Sequence, residues 1–429
     1  MTQDRLPAVA ASLRAAARRF GTPSFVTDTV SIDGAAAALV AAFPDPWIRQ
    51  YSVKANDVAA VIAAVCGADG GFGANVVSRG EWAAAARAGV PNERITLEGV
   101  GKTDADLRAA VAATRRGEGL LWVAVESADE LGALAGFARR LPAGSTVDVL
   151  LRLNPDVAPE THDSLAVGRG ASKFGLTETE LTEAADTFAG SRSLRLRGIH
   201  LHVGSQLGAV DAWRDGVRRA LALVTLVRGG LDDFDTLDVG GGFPVPRLAE
   251  PAPDPSRFAR ELPALLNALP ADRRPRRLAI EPGRFLVARA GWLVAQVLHV
   301  RSRGVRQVVL DAGMTELIRP ALYGALHDVV ALTSLGEPID HAARLPGPGA
   351  DDSDPADVHG PICESTDALG EHLLPPLRRG DLVAIRDSGA YAASLSSTYN
   401  GRPRPPQVLL GREGELRLGR RRGSVGALG

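Results

Sequence analysis

Tyr51-Ser52-Val53-Lys54-Ala55-Asn56 sets a lysine at the end of an apolar, β-prone run. The chain carries 49 basic side chains, and only Lys54, Lys102 and Lys173 among them are lysines. Where arginine serves almost everywhere that charge alone is wanted, a surviving lysine suggests chemistry that a permanently protonated guanidinium cannot perform. An amine held at a strand end is placed to form a Schiff base. The plainer reading is a lysine snorkelling out of a strand end.

Working outward, similar runs recur in a steady rhythm with Ala-rich helical stretches. Strands are expected near Ile48 to Val53, Phe72 to Val76, Arg94 to Leu97, Leu120 to Val125, Val147 to Leu153, Leu196 to His202, Thr236 to Val239 and Leu278 to Glu281. Eight strands alternating with helices predict an α/β fold, a (β/α)8 TIM-like barrel over residues 30–283. The continuous apolar character of several of them suits a parallel sheet buried on both faces. Beyond Gly283, β-rich runs at Trp292 to Val300, Gln307 to Leu310, Leu382 to Arg386 and Gln407 to Leu410 predict a mainly β second domain, formed by residues 1–29 and 284–429. The short strand Ser24 to Thr27 is expected to join it. Two long loops are expected, Asn154 to Gly175 and the Pro/Asp-rich Leu345 to His359, and Arg420 to Gly429 reads as a disordered tail.

Composition narrows the function classes. A length of 429 residues with 45% hydrophobic and 23% charged side chains fits two globular domains. The formal net charge of -1 gives no electrostatic reason to expect nucleic acid or a membrane surface, so a small-molecule substrate is expected. No apolar stretch is long enough to cross a bilayer, and the N-terminus lacks a secretory h-region. Leu6 to Phe20 could imitate a transit peptide, but Asp4 and the strand after Gly21 favour a surface helix. With Cys66 and Cys363 as the only cysteines, neither a disulfide framework nor a cysteine-rich metal site is expected, no metal is assigned, and the expected compartment is the cytoplasm.

Barrel chemistry emerges at the C-terminal ends of strands. Those ends carry Lys54, then His200-Leu201-His202-Val203-Gly204-Ser205-Gln206, then Asp238-Val239-Gly240-Gly241-Gly242-Phe243-Pro244, then Glu281-Pro282-Gly283-Arg284. A triple glycine after a late strand lets backbone N–H groups close on an anion, though alone it is as readily a tight turn. An amine, an imidazole, a phosphate nest and a carboxylate on one rim make a pocket for pyridoxal 5'-phosphate.

These segments resemble the fold type III pyridoxal phosphate decarboxylases, the alanine-racemase-like barrel group, and within it most closely the diaminopimelate decarboxylases. The resemblance spans roughly residues 22–422. It includes Asn154-Pro155-Asp156, Ser172-Lys173-Phe174-Gly175, Asp311-Ala312-Gly313-Met314, Leu317 to Tyr323, Gly360-Pro361-Ile362-Cys363-Glu364-Ser365, Gly389-Ala390-Tyr391 and Tyr399 to Pro403. It implies that Lys54 holds the cofactor covalently, that His202 stacks on its ring, and that Ser205 with Gly240, Gly241, Gly242, Gly283 and Arg284 surrounds the phosphate. Tyr391 would reach that phosphate from the other subunit of a homodimer, and Glu281 would face the pyridine nitrogen. That last role is sound physically, because a carboxylate keeps the nitrogen protonated and the ring a strong electron sink. Cys363 would donate the proton that replaces the lost carboxylate, acting across the dimer interface, while Cys66 reads as part of a buried helix face. Arg284, Arg319, Tyr323, Glu364 and Tyr391 would bind substrate: the guanidiniums a distal carboxylate, Glu364 a distal ammonium.

The implied activity is decarboxylation of meso-2,6-diaminopimelate to L-lysine and CO2. A related decarboxylase acting on ornithine, lysine, or a modified or carrier-bound amino acid is the alternative. A racemase of this fold places an arginine at the pyridine nitrogen, against which Glu281 argues. A non-catalytic cofactor-binding protein should have lost Cys363 or the arginine pair. The chain departs from the family pattern at Asn75, where an Asp is common, at Gly99-Val100 and at Pro244.

Overall fold

The computed structural model describes residues 4–158, 172–245, 252–342 and 353–428. The chain divides into two compact units, one of Ala36–Lys54 and Val65–Phe285, the other of Met1–Ala35, Ala55–Ala64 and Leu286–Gly429.

After β1 (Ser24–Asp28), which belongs to the second unit, eight strands close a parallel barrel in the first. They are β2 (Ile48–Ser52), β3 (Gly73–Val76), β4 (Ile95–Leu97), β5 (Trp122–Val125), β6 (Val147–Leu153), β7 (Leu194–Leu201), β8 (Thr236–Asp238) and β9 (Arg277–Ile280). β9 returns to β2 through Ile48 against Ala279 and Arg49 against Ile280. Every expected barrel strand is present, its ends within two residues of those expected. Each residue of β3, β4, β5 and β8 is buried, because one face fills the barrel and the other meets helices. Trp122, Ala124, Leu150 and Ala279 pack together in one such buried cluster.

The helices that follow β3 to β6 begin alike. Ser78, Thr103, Ser127 and Thr177 each accept a hydrogen bond from the backbone N–H three residues on, and Thr103 and Thr177 complete capping boxes with Asp106 and Glu180. Each such cap is worth about 1 kcal/mol. At Ser78 and Ser127, just past the ends of β3 and β5, starting the helix sharply keeps the strand's C-terminal rim open for side chains.

The second unit is built on a nine-stranded sheet. Its strands after the barrel are β10 (Gly291–Arg303), β11 (Val305–Leu310), β12 (Val329–Ala331), β15 (Asp354–His359), β16 (Ala368–Leu374), β17 (Leu382–Ile385), β18 (Gln407–Leu410) and β19 (Leu416–Arg420), with β13 (Thr333–Ser334) and β14 (Glu337–Pro338) pairing apart. β1 joins it as expected, antiparallel to β10 and parallel to β18. The helix Leu6–Phe20 lays Leu6, Val9, Leu13, Ala16 and Ala17 on Val26, Trp292, Val294 and Val408. That is an ordinary amphipathic surface helix.

Two expectations need correcting. The Leu345 to His359 stretch is not loop throughout: residues 343–352 lie outside those described, but Asp354–His359 is a strand that buries Ala356 and Val358 in alternation and pairs with β11 and β16. The C-terminal tail is ordered as far as 428. Arg422 donates to the carbonyls of Phe20 and Pro23 at 3.2 and 2.9 Å, so a guanidinium satisfies acceptors left over at the end of the first helix. Of the other long loop, residues 159–171 lie outside those described; its two ends meet through Asn154 N–H to Leu176 O and Leu176 N–H to Arg152 O, both 2.8 Å.

Candidate active site

The barrel unit gathers Lys54, His202, Ser205, Gly240, Gly241, Gly242, Glu281, Gly283 and Arg284 on its C-terminal rim. Lys54 sits half-buried in the single turn Val53–Ala55 directly after β2. Ser52 ties that strand end to the next element, its N–H donating to Pro282 O at 3.1 Å and its hydroxyl to Glu281 O at 3.2 Å. The lysine and the Glu281 to Arg284 turn are thereby fixed on neighbouring strands. The other lysines are committed elsewhere: Lys102 is buried against Glu130 at 2.9 Å, and the Lys173 ammonium lies 5.5 Å from the centre of the Phe174 ring.

The three glycines are required by backbone contacts. A Cβ on Gly240 would strike Leu201 O, one on Gly241 would strike Glu281 O, and one on Gly242 would meet Gly204 O; Gly240 and Gly242 also have positive φ, 70° and 93°. The turn so formed lets the Gly241 N–H donate to His202 Nδ1 at 3.2 Å. Burial first, then the charges of Lys54 and Arg152, hold His202 well below the usual imidazole range. The ring is therefore neutral, with Nδ1 as the acceptor and its flat face fixed. Gln206 clamps the far side of the turn, donating to Val245 O at 2.6 Å and accepting from Val245 N–H at 3.1 Å. Arg284 reaches Ser205, Nη2 to Oγ 3.1 Å, so a guanidinium, a hydroxyl and a glycine turn stand together as an anion would need.

Glu281 is 4% exposed. Asn75 Nδ2 donates to its Oε1, and His200 Nε2 stands 3.3 Å from its Oε2. Glu98, at the end of β4, and Asp238, at the end of β8, are equally buried. Burial, then the charge of Glu281, pushes the Glu98 acid up to about 8 and Asp238 well above the carboxylate range, while burial takes His200 down to about 4. His200, Asp238 and Asn75 stand in the sequence motifs without a role there, and Glu98 lies outside those motifs. A carboxylate immediately after a barrel strand was the available signal.

The β unit carries Arg319, Tyr323, Cys363, Glu364 and Tyr391. Arg319 and Tyr323 open and close one short helix, Arg319–Tyr323. His327, also missed from sequence, holds the first of them: Arg319 Nη1 lies 2.9 Å from His327 Nε2, whose Nδ1 lies 2.9 Å from Arg386 O. A carbonyl accepts only, so Nδ1 carries the proton and Nε2 receives the guanidinium. Cys363 is exposed, in the loop between β15 and β16. Asp367 pins that loop by accepting from Ile362 N–H at 2.7 Å and Met314 N–H at 2.6 Å. Its neighbour Glu364 accepts from the Tyr399 hydroxyl at 2.7 Å. Tyr391 takes the left-handed region, φ 57°, and its N–H donates to Ala55 O at 2.7 Å. Cys66 differs from Cys363 as expected, since burial pushes its thiol up to about 12 and leaves it inert.

Residues 31–288 match the family model described as pyridoxal-dependent decarboxylase, pyridoxal binding domain. The chain belongs to the pyridoxal-dependent decarboxylase family. It is 35% identical to a diaminopimelate decarboxylase of Aquifex aeolicus over 96% of its own length and 91% of the relative's, and 36% identical to one of Deinococcus radiodurans over 93% and 92%. In structure it is similar to diaminopimelate decarboxylase of Helicobacter pylori complexed with L-lysine, with a TM-score of 0.85, 29% identity, and coverage of 97% of this chain and 98% of that one.

The side chains of this decarboxylase fit pyridoxal phosphate. An amine is available to its aldehyde, the Ser205–Arg284 pair and the glycine turn suit its phosphate, a flat neutral imidazole suits its ring, and a buried carboxylate suits the ring nitrogen. Among the described residues no helix is long and apolar enough to cross a membrane.

Proposed function

We propose that the enzyme decarboxylates meso-2,6-diaminopimelate, releasing CO2 and L-lysine. The observation that carries this is the set of relatives named diaminopimelate decarboxylase that align with 92% or more of this chain. Pyridoxal phosphate supplies, when bound, the electron sink for the bond that breaks. The protein's own residues divide the remaining work. Lys54 would hold the cofactor through its side-chain amine. His202 supports one face of the ring, and Ser205, Gly240, Gly241, Gly242, Gly283 and Arg284 hold the phosphate, with Tyr391 of a second subunit reaching it. Glu281 keeps the ring nitrogen protonated.

Cys363 Sγ donates the proton that takes the place of the departed carboxylate. Its exposure suits a thiol offered to a neighbouring subunit, so the reading includes a homodimer in which each Cys363 loop serves the partner's site. Arg284, Arg319 and Tyr323 hold the distal carboxylate and Glu364 the distal ammonium. The enzyme works in the cytoplasm, where two unpaired cysteines stay reduced.

CO2 release measured side by side from meso-diaminopimelate, lysine, ornithine and arginine tests the substrate. Diaminopimelate should lead by roughly 10²-fold or more in kcat/KM, because the others leave the guanidiniums of Arg284 and Arg319 without a carboxylate. Equal turnover of ornithine would overturn the assignment, and no turnover of all four by cofactor-loaded enzyme would redirect it to a modified or carrier-bound amino acid.

A further inference from the structure

Around Glu281 the barrel interior holds more carboxyl groups than cations to pair with them. Glu98 and Glu281 are 3% and 4% exposed, and a carboxyl oxygen of each lies within 4.8 Å of the other. One amide serves both: Asn75 Nδ2 lies 2.9 Å from Glu98 Oε2 and makes a short bond to Glu281 Oε1. One imidazole faces both, His200 Nε2 standing 3.4 Å from Glu98 Oε2 and 3.3 Å from Glu281 Oε2. Asp238 adds a third carboxyl, one oxygen taking the Gly240 N–H at 2.9 Å and the other buried without a hydrogen bond among the described residues. Arg152, whose charge also reaches Glu98, is already bound to Glu126 at 2.5 Å.

Two carboxylates that share one amide in a dry interior cannot both be ionised, so one of them takes a proton. The pair is not symmetric. Among the described residues Glu98 Oε1 is buried with no donor to satisfy it, as an ionised oxygen would require. Carrying a proton, the Glu98 carboxyl becomes a donor beside the Glu281 carboxylate. The residue at position 75 agrees with this arrangement. An Asp there, common in the family, would add a fourth carboxyl, whereas Asn75 brings N–H donors.

We propose that Glu98 is a positioning residue that keeps a proton and shares it with Glu281, so that the pair bears a single negative charge and the Glu281 carboxylate is held in one orientation. Where Glu281 faces the cofactor's ring nitrogen, a consequence that rests on the proposed function, one charge meets one protonated nitrogen. The proton itself needs no cofactor.

The sign of the pH effect follows. Burial and the Glu281 charge raise the Glu98 acid from 4.5 to about 8, so the folded chain keeps a proton that the unfolded chain releases. That contribution to stability is complete below the unfolded value and is lost as pH rises through about 8. The groups facing Glu98 are Glu281, Asp238, His200, Asn75 and Arg152, and replacing Glu98 alone leaves the others in place.

The experiment compares wild type, Glu98→Gln and Glu98→Ala as full-length protein, with and without pyridoxal phosphate. Urea midpoints between about pH 6 and pH 9 should fall with rising pH in the wild type and fall less in Glu98→Gln, a neutral mimic of the protonated acid. One carboxylic-acid C=O signal in the infrared spectrum should disappear in Glu98→Gln. Cofactor affinity should stay within a few-fold in Glu98→Gln and drop roughly tenfold in Glu98→Ala, the scale of one lost buried hydrogen bond. An unchanged pH dependence together with an unchanged acid signal in Glu98→Gln would overturn the proposal, whether or not Glu98→Ala folds. Failure of every form to bind pyridoxal phosphate would strike the functional reading instead, since the proton is read in cofactor-free protein.

Discussion

Lys54→Ala protein is expected to release no measurable CO2, a loss of at least about 10³-fold, and to lack the visible absorbance of lysine-bound cofactor. The size of the effect follows from the lysine's position. Lys54 sits on the turn that ends β2, and Ser52 ties that strand to the Glu281 to Arg284 turn, so no other amine can replace it without moving a barrel strand. Lys102 is held in a buried ion pair with Glu130 and Lys173 lies against Phe174. The phosphate and ring contacts do not depend on the lysine, so the variant should still bind cofactor reversibly. CO2 release and an absorbance spectrum on the same sample check both statements, and wild-type turnover by Lys54→Ala would end the account.

Cys363→Ala should lower kcat by about 10²–10⁴-fold while leaving the cofactor absorbance intact, because a positioned proton donor is worth that much and the cysteine does not hold the cofactor. Cys363→Ser should fall between the two, its hydroxyl being the weaker acid. If the Cys363 loop of one subunit serves the site of its partner, mixing Lys54→Ala and Cys363→Ala subunits should recover activity, since a hybrid dimer contains one site with both residues intact. A Cys363→Ala enzyme with unchanged kcat would contradict the role. A hybrid that stays inactive would contradict the sharing.

The barrel is legible in the sequence because a parallel sheet buried on both faces leaves mostly apolar runs, such as Val147–Leu153, whose ends agree with the structure. The rim groups are legible for a related reason: a lysine, a histidine or a carboxylate standing directly after such a run has few structural reasons to be there. Asp354–His359 is harder to read. Only Ala356 and Val358 are buried in it, and the proline and aspartates around them carry the signature of a loop. The end of the chain misleads in the same way, since an Arg/Gly-rich stretch looks disordered until Arg422 is seen to reach the carbonyls of Phe20 and Pro23. Glu98 and His327 stay hidden because their importance is relational. Glu98 acquires it from Asn75 and Glu281 on other strands, its one trace in the sequence being its place directly after a barrel strand; His327 acquires it from Arg319 and Arg386, and no spacing along the chain announces it.

Borohydride reduction of the cofactor-loaded enzyme, followed by peptide mapping, tests the central claim most directly. The phosphopyridoxyl mass should appear on the peptide that contains Lys54 and on neither Lys102 nor Lys173. A reduced adduct on either of those lysines, or a loaded protein that retains no mass after reduction, would contradict the account.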